Sequence, residues 1–157
     1  MKRRRFQLKN IFRILLISPL FIFTNLYAQT DMKKVIYTPN APSPIGPYSQ
    51  ATEAGNFVFI SGQIAIDPAN GNFETGRTVS AEAKQVMENI KAIIEASGCT
   101  MNQVVKCTIF LDDMQKFADV NAVYAEYFKT DPPARETVAV AGLPRGAQVE
   151  ISMILVK

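Results

Sequence analysis

Three polar residues fall where the hydrophobic pattern expects burial, and each could do chemistry. Asn121 lies on the apolar stripe of a helical segment, where a buried amide must satisfy backbone groups of a neighbouring loop or line a site. Glu150 heads an otherwise apolar strand face. A carboxylate there has to be paired, or else its proton affinity rises into the range useful for proton transfer. Arg135 follows Pro132-Pro133-Ala134 at the start of a strand, on the same face as Thr137. It could close a salt bridge with Glu150, or present its planar fork to the carboxylate of a ligand. The sequence leaves both readings open.

Other chemistries are less well supplied. Histidine is absent from all 157 residues, which removes the commonest general base and the commonest metal ligand. The two cysteines, Cys99 and Cys107, do not make a zinc site, so no metal is expected. Cys99 is placed just past a helix and Cys107 inside a strand. They are expected to be small buried hydrophobes; a disulfide would require that strand to fold back beside the helix end.

The elements that must position these residues are legible from periodicity. Lys34-Val35-Ile36-Tyr37 reads as a brief strand, and Pro39 to Tyr48 is too rich in Pro and Gly for regular structure. Ala51-Thr52-Glu53 and Phe57 to Ile66 flank the turn Ala54-Gly55-Asn56 as a hairpin. Ala83, Val86, Met87, Ile90, Ile93 and Ile94 form one helical stripe, with Thr78 or Ser80 to cap it and Gly98 to stop it. Phe117, Val120, Asn121, Tyr124, Tyr127 and Phe128 form a second, with Asp112 and Asp113 at its N-terminus and Pro132-Pro133 ending it. Strands follow at Val104 to Leu111, Thr137 to Ala141 and Gln148 to Val156. The last alternates Val149, Ile151, Met153 and Leu155 on one face. Two one-sided helices must share one face of the sheet, which makes an α+β sandwich. The other face keeps apolar residues, so a homo-oligomer is expected.

The N-terminus reads differently from the rest. Residues 1–13 hold six of the 17 basic residues and none of the 14 acidic ones. The apolar run Ile14 to Phe23 follows, then Leu26-Tyr27-Ala28. A basic start, a short apolar core and a terminal small residue describe a secretory leader over residues 1–28, cleaved after Ala28. The run is too short for a membrane anchor, so the mature part, residues 29–157, is expected to be periplasmic or secreted without stable membrane association. It carries 11 basic against 14 acidic residues, a net charge of about −3. Such a charge is a poor basis for nucleic-acid binding.

Several ordered motifs carry a family resemblance over almost the whole mature chain. They are Asn40-Ala41-Pro42, Ile45-Gly46-Pro47-Tyr48-Ser49-Gln50, Ile60-Ser61-Gly62-Gln63-Ile64, Asn89-Ile90-Lys91-Ala92-Ile93 and Val120-Asn121-Ala122-Val123-Tyr124. Towards the C-terminus come Pro133-Ala134-Arg135-Glu136-Thr137-Val138, Gly142-Leu143-Pro144 and Val149-Glu150-Ile151. Together they resemble the RidA family, also called the YjgF/YER057c/UK114 family. The resemblance implies a chorismate-mutase-like fold with a mixed six-stranded sheet, assembled as a homotrimer with sites in the clefts between subunits. It implies cofactor-free hydrolysis of reactive 2-imino acids, such as 2-iminopropanoate formed from 2-aminoacrylate, to 2-oxo acids and ammonia. By position, Arg135 matches the arginine that grips the substrate carboxylate and Glu150 the glutamate that positions or activates water. Tyr48, Ser61, Gly62 and Asn121 match residues that line or shape the cleft, and the Thr137 backbone N–H one that helps hold the carboxylate.

Two departures from the family pattern stand beside that match. Thr137 replaces a frequent cysteine, and Glu136 replaces a small residue; Glu136 should point to the opposite strand face, but it brings a carboxylate close to Arg135 in sequence. They support a second reading, a non-catalytic module that binds small carboxylates. A third, an RNA-directed or protein-holding role, is disfavoured on its nuclease side by the negative charge and missing histidine.

Overall fold

The computed structural model describes residues 33–157; the expected leader, residues 1–28, lies outside the described residues. Eight main elements follow in order: β1 (Lys34–Ile36), β2 (Ala51–Ala54), β3 (Phe57–Gln63), α1 (Val79–Ala96), β4 (Val104–Leu111), α2 (Phe117–Tyr127), β5 (Ala134–Ala139) and β6 (Val149–Val156). The strands form one six-stranded sheet in the order β1-β2-β3-β6-β4-β5. Only the β4–β5 pair is parallel, so the sheet is mixed, and β5 stands at its edge.

Alternation along the strands decides which residues meet the helices. Val149, Ile151, Met153 and Leu155 of β6 join Cys107, Ile109 and Leu111 of β4 in the core with Val86, Met87, Ile90 and Ile94 of α1. Val120, Val123 and Tyr124 bring α2 onto the same core, so both helices cover one face. The α1 cap is Thr78, whose hydroxyl accepts from the Ala81 N–H at 3.3 Å. Gly98 adopts the left-handed φ of 76° that ends the helix, a conformation in which a Cβ would be strained. The opposite face leaves Val35, Phe57, Phe59 and Val138 exposed at 42–54%. Cys99 and Cys107 are both buried and free.

Several boundaries differ from the periodicity reading, each for a local reason. The second helix begins only at Phe117, because a 3-10 turn at Met114–Lys116 comes first. The Asp113 carboxylate caps that turn at the Gln115 N–H, and Asp112 pairs with Lys116, so neither caps α2. β5 starts at Ala134 instead of Thr137, which brings Arg135 inside the strand. β3 stops at Gln63, short of Ile66, after an extra residue enters between the Ile60↔Met153 and Gln63↔Ile151 pairs. Such a bulge re-aims side chains locally, and Ser61 and Gly62 occupy it.

The Pro-rich segment before β2 is ordered by one side chain. Gln50 is 2% exposed, and its amide oxygen accepts from the Thr38 N–H at 2.7 Å. Its NH2 group donates to the carbonyls of Thr38, Ala41 and Pro42 at 2.9–3.1 Å. A loop poor in regular pairing thereby satisfies its buried backbone groups through a single amide. Gln50→Ala should lower stability by about 2–3 kcal/mol, since buried backbone groups lose their partner. Urea denaturation would read the loss, and limited proteolysis should cut first within residues 38–48.

Candidate active site

The residues singled out by sequence separate into two groups on opposite faces of the sheet. Arg135 sits beside Cys107 in the β4–β5 register, and Cys107 faces the helices. Glu150 sits beside Phe110, three residues further along β4, so alternation sends it to the other face. The salt bridge between Arg135 and Glu150 that the sequence allowed does not form within the chain.

The first group surrounds Glu150. Tyr48, Ser61, Gly62 and Glu150 line a cavity of about 300 Å³, together with Ile45, Ile64 and Pro144. The bulge in β3 presents Gly62 directly to the carboxylate. A Cβ built at Gly62 would lie 1.9 Å from Glu150 Oε1, so only glycine leaves the acid its place. Ser61 is spent on structure: its hydroxyl donates to the Ser49 carbonyl at 2.7 Å, and its N–H to the Gln50 carbonyl at 3.0 Å. The Tyr48 hydroxyl accepts from the Ile45 N–H at 3.2 Å, which folds the loop's tip over the cavity with Tyr48 45% exposed.

Two buried polar residues of α1 fix the rims of this cavity. Asn89 donates from its amide to the Ile64 and Ile66 carbonyls, holding the chain just after β3. Glu82 accepts from the Gln148 backbone N–H at 2.8 Å and from its side-chain amide at 2.7 Å, two residues before Glu150. Burial raises the proton affinity of Glu150 above the ordinary carboxylate value of 4.5. A carboxyl shifted in that direction suits proton exchange with water.

The second group surrounds Arg135. A cavity of about 400 Å³ is lined by Asn121, Tyr124, Phe128, Pro132, Pro133 and Arg135. Asn121 is half-buried, and its amide oxygen accepts from Arg135 Nη1 at 2.9 Å. Its partner is therefore the guanidinium and not a loop backbone group. The Arg135 guanidinium carbon lies 4.7 Å from the Tyr124 ring centre and 5.6 Å from that of Phe117. Thr137 shares this face, and its hydroxyl is buried without a hydrogen-bond partner among the described residues. The Cys107 thiol is pushed up to about 12 by burial and stays protonated.

Glu136 does not compete for Arg135. It faces the opposite side of β5, where Lys106 and Thr108 both donate to its carboxylate and hold its proton affinity down. The residues sequence reasoning passed over are Gln50, Glu82 and Asn89, which build the loops, and Tyr124 and Phe117, which touch Arg135. The stripe that marked Asn121 already placed both aromatics on its face of α2.

A mixed sheet covered by two helices on one side, with an arginine at its edge strand and a desolvated glutamate beside a glycine bulge, defines a small α+β sandwich with two candidate sites. The family model for endoribonuclease L-PSP matches residues 38–157. The chain belongs to this family, the RidA family, as its motifs indicated. A RutC family protein of Pyrococcus horikoshii is 54% identical over 126 residues, covering 80% of this chain and 99% of the relative. The 2-iminobutanoate/2-iminopropanoate deaminase of Mus musculus is 47% identical over 126 residues, covering 80% and 93%. The structure of Escherichia coli TdcF with bound serine superposes with a TM-score of 0.75 at 38% identity, covering 79% and 98%.

The raised proton affinity of Glu150 has a sign that can be checked. The folded chain holds this proton to higher pH than the unfolded chain does, so ionising the group costs folding stability. The cost is absent below the ordinary value of 4.5 and sets in as pH rises through the raised one. Glu150→Gln should therefore raise Tm near pH 7 and leave it nearly unchanged near pH 4, as followed by calorimetry across that range.

Proposed function

We propose that this protein hydrolyses reactive 2-imino acids to 2-oxo acids and ammonia, in a site that two copies of the chain complete together. The observation that carries this reading is the separation of its two halves. The chain holds an anion-gripping arginine on one face and a proton-exchanging carboxyl on the other, each beside an open cavity. Neither half can process a substrate alone. The exposed apolar sheet face supplies the surface through which a second copy would bring the halves together. A homotrimer with three such clefts is the closed arrangement the family resemblance implies.

The chemistry needs no more than these residues supply. Arg135, held by Asn121, and the Thr137 backbone N–H fix the substrate carboxylate, which orients the imine carbon. The protonated C=N carbon is electrophilic. Glu150 of the facing copy takes a proton from water as its oxygen bonds to that carbon, forming a carbinolamine. The same carboxyl returns the proton to nitrogen; as the C–N bond breaks, the hydroxyl proton passes to the departing ammonia, which leaves as ammonium while the carbonyl forms. Acid–base assistance of this kind contributes roughly 10²–10⁴-fold. The relatives named as deaminases support this reaction over simple carboxylate binding. Glu136, one of the two departures that favoured the binding module, is turned away from Arg135 and tied to Lys106.

Imine generated in place by an amino-acid oxidase, with semicarbazide competing to trap it, provides the assay. Wild type should lower the trapped fraction; Arg135→Ala and Glu150→Gln should each leave it unchanged. Mixing these two variants after unfolding and refolding together should restore about a quarter of wild-type activity in a trimer, because random pairing regenerates intact clefts. Failure to recover, with both variants folded and assembled, would place the two residues in one copy's site and sink the composite reading.

Residues 1–28 support a further part of the proposal, that the reaction runs outside the cytoplasm on imines or enamines formed or released there. N-terminal sequencing of the protein recovered from the periplasm or medium should begin at Gln29. An intact Met1 start in a soluble cell extract would overturn it.

A further inference from the structure

Three side chains at successive positions of one stripe of α2, Phe117, Asn121 and Tyr124, close on a single guanidinium. Their spacing of i, i+4 and i+7 puts them on one helix face. Asn121 takes one of the five N–H donors of Arg135, while the two rings touch its π-face and take none. Tyr124 is the nearer ring, at 4.7 Å, and is 5% exposed. Phe128 braces it from the side, with ring centres 4.7 Å apart and planes tilted by 37°. The Tyr124 hydroxyl is buried beside the Cys107 thiol and makes no hydrogen bond to Arg135, so what this residue offers Arg135 is the face of its ring.

An arginine meant to capture an external carboxylate faces a conflict. A carboxylate partner within the protein would hold it still but would also neutralise it and occupy its fork. An aromatic face holds a cation by its quadrupole, leaving both the charge and the outward N–H groups available. The nearest acid along the chain, Glu136, is directed to the other side of the sheet.

We propose that Tyr124 is a positioning residue, whose ring face sets the Arg135 fork for the substrate carboxylate without neutralising it. The proposal rests on the deaminase reading of the site and adds the device that tunes its affinity. It predicts that affinity follows the electron density of the ring at position 124 and is indifferent to the hydroxyl.

The experiment uses the mature chain with Tyr124, with Tyr124→Phe, and with Tyr124 replaced by 4-fluoro-, 3,5-difluoro- and pentafluorophenylalanine, which change the quadrupole with little change of shape. Calorimetric titration with 2-oxobutanoate, the non-reactive product, reads binding, and the imine assay reads KM and kcat. Tyr124→Phe should bind within about twofold of wild type. Affinity should then fall stepwise with fluorination, to about tenfold weaker for the pentafluoro ring, given the strength of a partly desolvated cation–π contact. KM should rise in parallel while kcat changes less, and Tm should not follow the series. A flat series in an active wild-type background, or an affinity loss that tracks Tm, would overturn the role of Tyr124 and leave the deaminase reading standing. A wild type that neither binds 2-oxobutanoate nor consumes imine would sink that reading, and the positioning role with it.

Discussion

A strand offers its side chains only two directions, and the rest of this molecule follows from how β5 and β6 use them. The β4 register puts Arg135 level with Cys107 and Glu150 level with Phe110, an odd number of residues apart. One residue therefore joins the helix side and the other the open side. No rotamer change can undo this, because a one-residue slip would also send Val149, Ile151, Met153 and Leu155 out of the core. The hydrophobic core fixes the register, and the register keeps the two charged residues apart.

Keeping them apart preserves the chemistry of each. Within hydrogen-bonding reach, Arg135 would pull the Glu150 proton affinity down and cover its own fork. Separated, each is conditioned by its surroundings: Glu150 by desolvation against Gly62, Arg135 by an amide and two aromatic faces. Both settings depend on side chains that line neither cavity. Glu82 and Asn89 of α1 hold the rims of the Glu150 cavity, and Gln50 holds the Pro-rich loop that carries Tyr48.

Much of this was readable beforehand, and what was not has a physical cause. The helix stripes, the strict alternation of β6 and the shared face of Arg135 and Thr137 follow from periods that survive in the fold. Glu136 was also legible as pointing away from Arg135, but its pairing with Lys106 joins residues 30 apart through a parallel strand pair, which local pattern cannot reveal. The bulge at Ser61 and Gly62 was hidden for a similar reason, since an extra residue is defined only against its partner strand. Asp112 and Asp113 were placed at the N-terminus of α2 because favourable negative charge near a stripe does not distinguish an α-helix from a preceding 3-10 turn. Gln50 resembled any polar residue next to a strand; its buried role appears only when the loop before it closes.

The open sheet face and the divided site then become one problem with one proposed solution. A single chain exposes Phe57, Phe59, Val35 and Val138 on that face, and carries Glu150 and Arg135 in two separate cavities. Association through it would bury the apolar surface, and closing a cleft at its margin would add desolvation to the Glu150 carboxyl and to the Arg135 fork. A drier site strengthens the arginine's hold on a carboxylate, and a substrate carboxylate seated on the Arg135 fork offsets the positive charge that would otherwise lower the proton affinity of the facing Glu150. On this reading assembly does more than collect residues: the same buried surface that stabilises the oligomer sets the electrostatics of the site. Activity and association are then one equilibrium, and a chain diluted below its dissociation constant would lose both together.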